Sequence, residues 1–297
     1  MTRLPSFHSH AKRREVGGRT ETIHLPCRLI ALDLDGTLMS LDLKFSPRVR
    51  HAVAVAQERG IAVTLATGRS PLSTCPFAEE LDIRVPLICY QGGLIVQRDG
   101  RVLHRATLES RLAAQVIDLA QSHGWHVTLY QDGAFFLPEL RHPLSFYEGF
   151  LNPSVHQVAD LRSLLDHDPD KMIIIAQGNG DEILAGLREH FDGQMQIVRS
   201  HELFIEVNPL GVDKGSGLAW LSNYLSVPQA QVMAVGDQDN DAPMIAWAGL
   251  GVAMGNGSPA CKAAAAWIAP PLEEDGAAVA IERFALSSEP GMQPSGC

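Results

Sequence analysis

From Arg28 onward, short apolar runs alternate with stretches whose apolar residues recur every three or four positions. The run at 29–34 leads into a glycine, which predicts a buried strand that feeds a loop. Ser46 can cap the next helix, Pro47 suits its first turn and Gly60 ends it. Further strands are predicted at 61–66 and 85–90. This alternation of strands and helices predicts a parallel sheet that is covered on both faces.

The pattern changes after Asp99-Gly100, which is a hairpin signal. A helix that ends near Gly124, and two strands around Asp132-Gly133, begin what looks like a separate α+β unit. The parallel pattern is expected to resume with a strand at 203–207. The predicted fold is α/β, with a Rossmann-like parallel sheet core and an inserted α+β unit. The predicted divisions are an extension (1–27), a core (28–108 and 200–285), an insertion (109–199) and a tail (286–297).

The two ends of the chain differ from the rest. The extension at 1–27 is basic but lacks the apolar segment of a secretory signal, so a flexible arm is expected. An organellar transit peptide is the alternative. The tail at 286–297 is rich in serine, proline and glycine, which predicts disorder.

Composition excludes some classes of function. The formal net charge of -10 argues against a nucleic-acid partner, whose backbone needs a basic surface. No apolar run approaches the roughly 18 residues that a membrane helix needs, so we expect no membrane partner. The five cysteines lie far apart and form no CxxC pair, which is typical of free thiols in a reducing compartment. We therefore expect a cytoplasmic protein, whose oligomeric state the sequence leaves open.

Polar side chains follow four separate apolar segments. Because the carboxyl ends of parallel strands meet at one edge of a sheet, these side chains are expected to converge. The four sets are Asp33 and Asp35; Thr67 and Gly68; Lys214; and Asp237, Asn240 and Asp241.

Such a cluster favours phosphoryl transfer. Several crowded carboxylates repel one another unless a cation joins them. Oxygen ligands favour a hard ion, and Mg²⁺ suits a few carboxylates with a substrate phosphate. Lys214 and the Thr67 hydroxyl would bind the remaining phosphate oxygens. One carboxylate can attack phosphorus, and a second can act as acid and base.

These segments resemble the four motifs of the haloacid dehalogenase-like superfamily. The resemblance is closest to Cof-type phosphatases, which carry an α+β cap of the C2B type between the second and third motifs. The motifs are Asp33-Leu34-Asp35-Gly36-Thr37, Leu65-Ala66-Thr67-Gly68-Arg69, Gly211-Val212-Asp213-Lys214-Gly215 and Gly236-Asp237-Gln238-Asp239-Asn240-Asp241. The resemblance extends over about 29–285. It implies a phosphatase that hydrolyses small phosphate monoesters, such as sugar phosphates or phosphorylated cofactors.

The resemblance also implies roles for single residues. Asp33 would be the nucleophile and a Mg²⁺ ligand. Asp35 would be the general acid/base and bind the metal through its backbone carbonyl. Lys214 would act in catalysis by holding the transferring phosphoryl group, and Asp237 would complete the metal site with support from Asp241. The residues expected to bind phosphate or substrate are Thr67, Gly68, Arg69 and Asn240.

Alternatives remain at this point. Arg69 could contact phosphate or form a structural ion pair, and Asn240 or Asp241 could cap the next helix. Gln91 stands where the family usually has asparagine, which puts the local loop geometry and the substrate contacts in doubt. At the level of function, the alternatives are a phosphomutase-like phosphoryl transferase and a non-catalytic module that binds a phosphate ligand.

Overall fold

The structure is a computed structural model that describes residues 27–39 and 42–287. The predicted extension and tail lie outside these residues, apart from their innermost positions. Within the described ranges, no helix is both long and apolar enough to cross a membrane. The strands are β1 (Leu29–Leu32), β2 (Ala62–Leu65), β3 (Leu87–Cys89), β4 (Leu94–Val96), β5 (Val102–Arg105), β6 (His126–Gln131), β7 (Ala134–Leu137), β8 (Val155–Gln157), β9 (Lys171–Ile175), β10 (Met195–His201), β11 (Phe204–Pro209), β12 (Val232–Gly236), β13 (Leu250–Ala253) and β14 (Trp267–Ile268). The helices are α1 (Pro47–Glu58), α2 (Pro71–Glu80), α3 (Ser110–Ser122), α4 (Leu144–Phe150), α5 (Gly180–Phe191), α6 (Lys214–Tyr224), α7 (Ala242–Trp247), α8 (Pro259–Ala264) and α9 (Gly276–Ile281).

The first sheet is parallel, with the strand order β14-β13-β12-β1-β2. Strand β1 lies between β12 and β2, and all four of its side chains are buried. Residues of α1 and α9 pack in one apolar cluster with the sheet, and residues of α6 and α7 pack in another. Burial on both faces explains why β1 reads as a continuous apolar run. The predicted α/β core is confirmed.

The second sheet, here called the cap sheet, contains six strands in the order β10-β11-β9-β6-β7-β8. The hairpin predicted around Asp132-Gly133 joins β6 to β7. Apolar side chains of α3 and α5 form a core with one face of this sheet. The other face carries Lys171, Ile173 and Glu206, which line a cavity that also includes residues of the parallel core.

One predicted strand placement is wrong. The strand expected at 203–207 does not resume the parallel pattern, because β11 pairs antiparallel with β10 and β9. Only two residues connect β10 to β11, which is too short for the crossover that parallel strands need. The expected boundary after residue 199 therefore divides a hairpin, and we propose that the insertion extends to Pro209. The strand expected at 85–90 is present as β3, which adjoins the end of β2 through a parallel Ala66–Ile88 bridge and also pairs antiparallel with β4.

Candidate active site

The chain places four polar segments at one edge of the parallel sheet. Asp33 follows β1, and its backbone N–H donates to Val235 O at 3.0 Å, which ties it to the neighbouring strand β12. Thr67 follows β2, and Asp237 follows β12. Lys214 is the first residue of α6, whose start is fixed by a reciprocal capping box between Asp213 and Ser216. The expected convergence at the carboxyl ends of the strands is therefore present.

The centre of the site is a buried acidic cluster of Asp33, Asp237 and Asp241. One carboxylate oxygen from each residue lies within 4.8 Å of the others. Lys214 Nζ donates to Asp33 Oδ1 at 2.6 Å and to Asp241 Oδ1 at 2.5 Å. One lysine thus faces three carboxylates that are almost wholly removed from water.

The charge imbalance perturbs the pKa of the carboxyl groups. Burial, followed by repulsion from Asp241, raises the pKa of Asp33 well above its ordinary value. The same two causes raise the pKa of Asp237 to about 6. Burial by itself would lower the pKa of Lys214, but Asp241 and Asp33 raise it above its ordinary value. The cluster therefore holds more negative charge than its lysine balances, which is the setting that a divalent cation stabilises.

The donor set fits Mg²⁺, because it offers carboxylate oxygens at short mutual distances and no soft ligand. Asp237 is held by Thr37 Oγ1, which donates to Oδ1 at 3.0 Å, and by Gln238 Nε2, which donates to Oδ2 at 2.8 Å. Gly36 lies against the same carboxylate at a φ of +83°, and a Cβ there would collide with it. The Asp33-x-Asp35-Gly36-Thr37 segment thus positions Asp237 as well as its own carboxylates.

Asp35 points elsewhere and pairs with Arg69. Arg69 Nε and Nη2 donate to the two oxygens of Asp35 at 2.7 and 2.6 Å. The Asp35 side chain is 51% exposed, whereas that of Arg69 is 8% exposed. Arg69 therefore forms an ion pair in this structure, and its expected contact with phosphate stays a prediction. The Asp35 side chain lies outside the acidic cluster, but both of its oxygens accept from Arg69, so this pair would have to open before Asp35 could act as an acid or a base.

The expected phosphate-binding residues line one cavity together with Asp33 and Asp35. Thr67 is buried, and its Oγ1 accepts the Arg69 backbone N–H at 3.1 Å, which leaves the hydroxyl proton available. Asn240 Nδ2 donates to Gln91 Oε1 at 3.0 Å and does not cap the helix. Asp241 Oδ2 accepts the backbone N–H groups of Asp237 and Gln238, so it also fixes this turn. The structure brings these residues together, and their roles stay predictions.

Sequence reasoning missed the part of the cavity that the cap sheet supplies. Lys171 and Glu206 lie there as a buried ion pair, and Gln91 joins Glu206 to Asn240. The signal was available, because each charge interrupts an otherwise apolar strand, in Lys171-Met-Ile-Ile-Ile and Phe204-Ile-Glu-Val. A charge on a buried strand requires a partner.

Comparison with known proteins places the chain in a family. A family model described as haloacid dehalogenase-like hydrolase matches residues 30–281. The chain is 30% identical over 266 residues to the 5-amino-6-(5-phospho-D-ribitylamino)uracil phosphatase YitU of Bacillus subtilis strain 168. The matched region covers 86% of this chain and 97% of the relative.

Two solved structures from Bacteroides thetaiotaomicron are also similar. A haloacid dehalogenase-like hydrolase has 30% identity and a TM-score of 0.76, with 86% of this chain and 99% of the other covered. A protein studied among phosphatases of the superfamily has 25% identity and a TM-score of 0.76, with 92% and 100% covered. The predicted family and its hydrolytic enzyme class are confirmed: this chain belongs to the haloacid dehalogenase-like hydrolases.

Proposed function

We propose that this hydrolase is a Mg²⁺-dependent phosphatase that cleaves small phosphate monoesters through an aspartyl phosphate on Asp33. The observation that carries the proposal is the buried acidic cluster with Lys214 at its centre, which opens onto a cavity beneath the cap sheet. The similarity to a named phosphatase over almost its whole length supports the reaction class. The expected substrates are sugar phosphates or phosphorylated cofactors.

The reaction divides into two displacements at phosphorus. In the first, an Asp33 oxygen bonds to phosphorus while the ester P–O bond breaks, and Asp35, in its protonated form and released from Arg69, gives a proton to the departing oxygen. In the second, Asp35 takes a proton from water as the water oxygen attacks phosphorus, which releases inorganic phosphate and restores the Asp33 carboxylate. Atoms and protons balance over the two steps.

The remaining residues bind and orient. Lys214 holds Asp33 in place at 2.6 Å and lies where it can offset charge on the phosphoryl oxygens. The Thr67 hydroxyl and the backbone around Gly68 face the same cavity and can donate to these oxygens. A bound Mg²⁺, held by Asp33, Asp237 and the Asp35 carbonyl with Asp241 in support, would supply positive charge against the phosphate.

Location and partners are part of the proposal. The cysteines at 27, 75, 89 and 261 are free thiols in the described structure, which supports a reducing compartment and a cytoplasmic location. The cavity volume of about 120 Å³ supports a small phosphorylated metabolite as the partner.

A substrate panel tests the proposal against its alternatives. Phosphate release should depend on Mg²⁺, stop in excess EDTA and disappear in Asp33→Asn. An isomerised phosphosugar with no free phosphate would instead indicate a phosphomutase-like enzyme. Tight binding of phosphate esters without turnover would indicate a binding module. Full activity in excess EDTA would contradict the role of the metal.

A further inference from the structure

The part of the cavity that faces the cap sheet contains one charge of each sign. Lys171 Nζ lies 2.5 Å from Glu206 Oε2, and the two side chains are 1% and 3% exposed. The rest of the lining from this side is Tyr130, Leu151, Ile173, Ser200, His201 and Phe204. Five of these six have uncharged side chains, and the sixth, His201, is exposed. The buried charges on this side of the cavity therefore balance each other before any substrate binds.

The two charges are also fixed to the core. Lys171 Nζ donates to the Gly68 carbonyl at 2.8 Å, and Gln91 Nε2 donates to Glu206 Oε1 at 2.6 Å. A Cβ on Gly68 would collide with the ends of Gln91 and Glu206, so the fit is close. Each charged group thus has its partner and a second hydrogen bond, and Lys171 Nζ also lies 5.4 and 5.0 Å from the ring centroids of Tyr90 and Tyr130.

An anionic leaving group would break this balance. A carboxylate bound beside Lys171 would compete with Glu206 for the ammonium group and would bring a second negative charge next to the buried Glu206 carboxylate. A neutral hydroxyl or amide group faces no such cost. It would also find an acceptor in Asn240 Oδ1, since this residue is 9% exposed and its Oδ1 receives no hydrogen bond from the part of the chain that the structure describes.

We propose that the Lys171–Glu206 pair makes the cavity selective for phosphate monoesters whose leaving group is neutral and forms hydrogen bonds. Leaving groups that carry a carboxylate or a second phosphate are rejected. This inference rests on the proposed phosphatase function and specifies the class of its substrates.

Substrate pairs that differ only in this charge test the proposal. Glycerol 3-phosphate and 3-phosphoglycerate differ in a terminal CH₂OH or carboxylate, as do sorbitol 6-phosphate and 6-phosphogluconate. The full chain with Mg²⁺ should show kcat/KM at least about tenfold higher for the neutral member, the preference that a modest binding difference produces. Glu206→Gln frees the charge of Lys171, so the ratio should fall about tenfold. Lys171→Gln should keep the preference or increase it.

A matched control breaks a different ion pair, next to the start of the same strand β9. Asp170 is buried and accepts from Arg105 Nε at 2.7 Å, but it does not line the cavity. Asp170→Asn should therefore leave the substrate ratio unchanged. Because the ratio compares two substrates of one variant, general losses of activity cancel.

Three results would overturn the inference. One is a wild-type preference for the anionic members, or no preference beyond threefold. Another is an unchanged ratio in a folded Glu206→Gln protein. If that variant does not fold, a reversed ratio in Lys171→Gln would have the same meaning. Phosphate release without discrimination would refute this inference alone, whereas the absence of Mg²⁺-dependent release from every ester would refute the proposed function as well.

Discussion

Two buried groups of charges lie on opposite sides of one cavity, and they differ in whether their positive and negative charges balance. On the core side, Lys214 faces Asp33, Asp237 and Asp241, so negative charge is in excess. On the cap side, Lys171 and Glu206 balance each other, and each makes a second hydrogen bond, to Gly68 and Gln91 respectively. Both groups are almost completely removed from water.

The difference separates the chemistry of the site from its selectivity. An unbalanced cluster attracts a cation and is completed only when the metal and the phosphate bind. A balanced pair attracts neither the metal nor the phosphate. Its effect is to weaken the binding of any ligand that brings a further charge. Substitutions that remove charge should therefore act differently on the two sides.

The largest effect is expected from Asp33→Asn. The amide is a poor nucleophile, so kcat should fall by at least about a thousandfold. The fold should remain, because the substitution removes one charge from a cluster that has too many and Lys214 keeps Asp241 as a partner. The melting temperature of the metal-free protein should change by no more than about 4 °C, roughly what 1 kcal/mol produces in a chain of this size. Retention of a tenth of the activity would contradict the role of Asp33.

On the balanced side, Glu206→Gln should destabilise the protein. Lys171 would be left as a buried charge without its partner, which typically costs about 3–5 kcal/mol of unfolding free energy. Denaturant unfolding measures this loss. The control is Glu282→Gln, whose pair with Arg48 has side chains 38% and 46% exposed and should matter little. Equal losses in the two variants would show that burial does not set the cost.

The next effect concerns pH and Mg²⁺. Asp237 has a pKa raised from 3.8 to about 6, so its protonated form favours the folded state. Its contribution to stability is complete below about pH 4 and is lost as the pH rises through about 6. Mg²⁺ replaces the proton at neutral pH but competes with it in acid.

The rise in melting temperature on adding Mg²⁺ should therefore be larger at pH 7 than at pH 5. Thermal scans at both pH values, with and without metal, measure it. Asp237→Asn should reduce the rise at pH 7. An equal rise in melting temperature at both pH values in the wild type would mean that the metal does not bind through these carboxylates.

The smallest effect is expected from Gln91→Asn, which restores the residue that the family usually has. Gln91 joins the two sides, since it donates to Glu206 and accepts from Asn240. A side chain shorter by one methylene cannot keep both contacts. Loss of one hydrogen bond, roughly 0.5–1.5 kcal/mol, should raise KM about three- to tenfold with little change in kcat. A fall in kcat with constant KM would place Gln91 in the chemical step.

The core side of the site could be predicted from the sequence because it depends on order along the chain. Asp33, Thr67 and Asp237 each follow a strand, and parallel strands bring their carboxyl ends together whatever the exact register. The hairpins at Asp99-Gly100 and Asp132-Gly133 were predictable for a similar reason, since a tight turn is a local signal.

The cap side could not be predicted in the same way. The contact between Lys171 and Glu206 depends on β9 and β11 being neighbours in register, and β11 had been placed in the wrong sheet. The Arg69–Asp35 pair depends on how two loops fold over each other, which no periodicity encodes. Local patterns give elements and strand ends, whereas pairings between distant side chains require the tertiary structure.

The stereochemical course at phosphorus tests the central claim most directly. A thiophosphate monoester made chiral with two oxygen isotopes, hydrolysed with Mg²⁺ in water that carries the third, gives a chiral inorganic thiophosphate. Each in-line displacement inverts phosphorus, so two displacements through Asp33 predict net retention. Net inversion would mean that water attacks the substrate directly, and Asp33 would then not be the nucleophile.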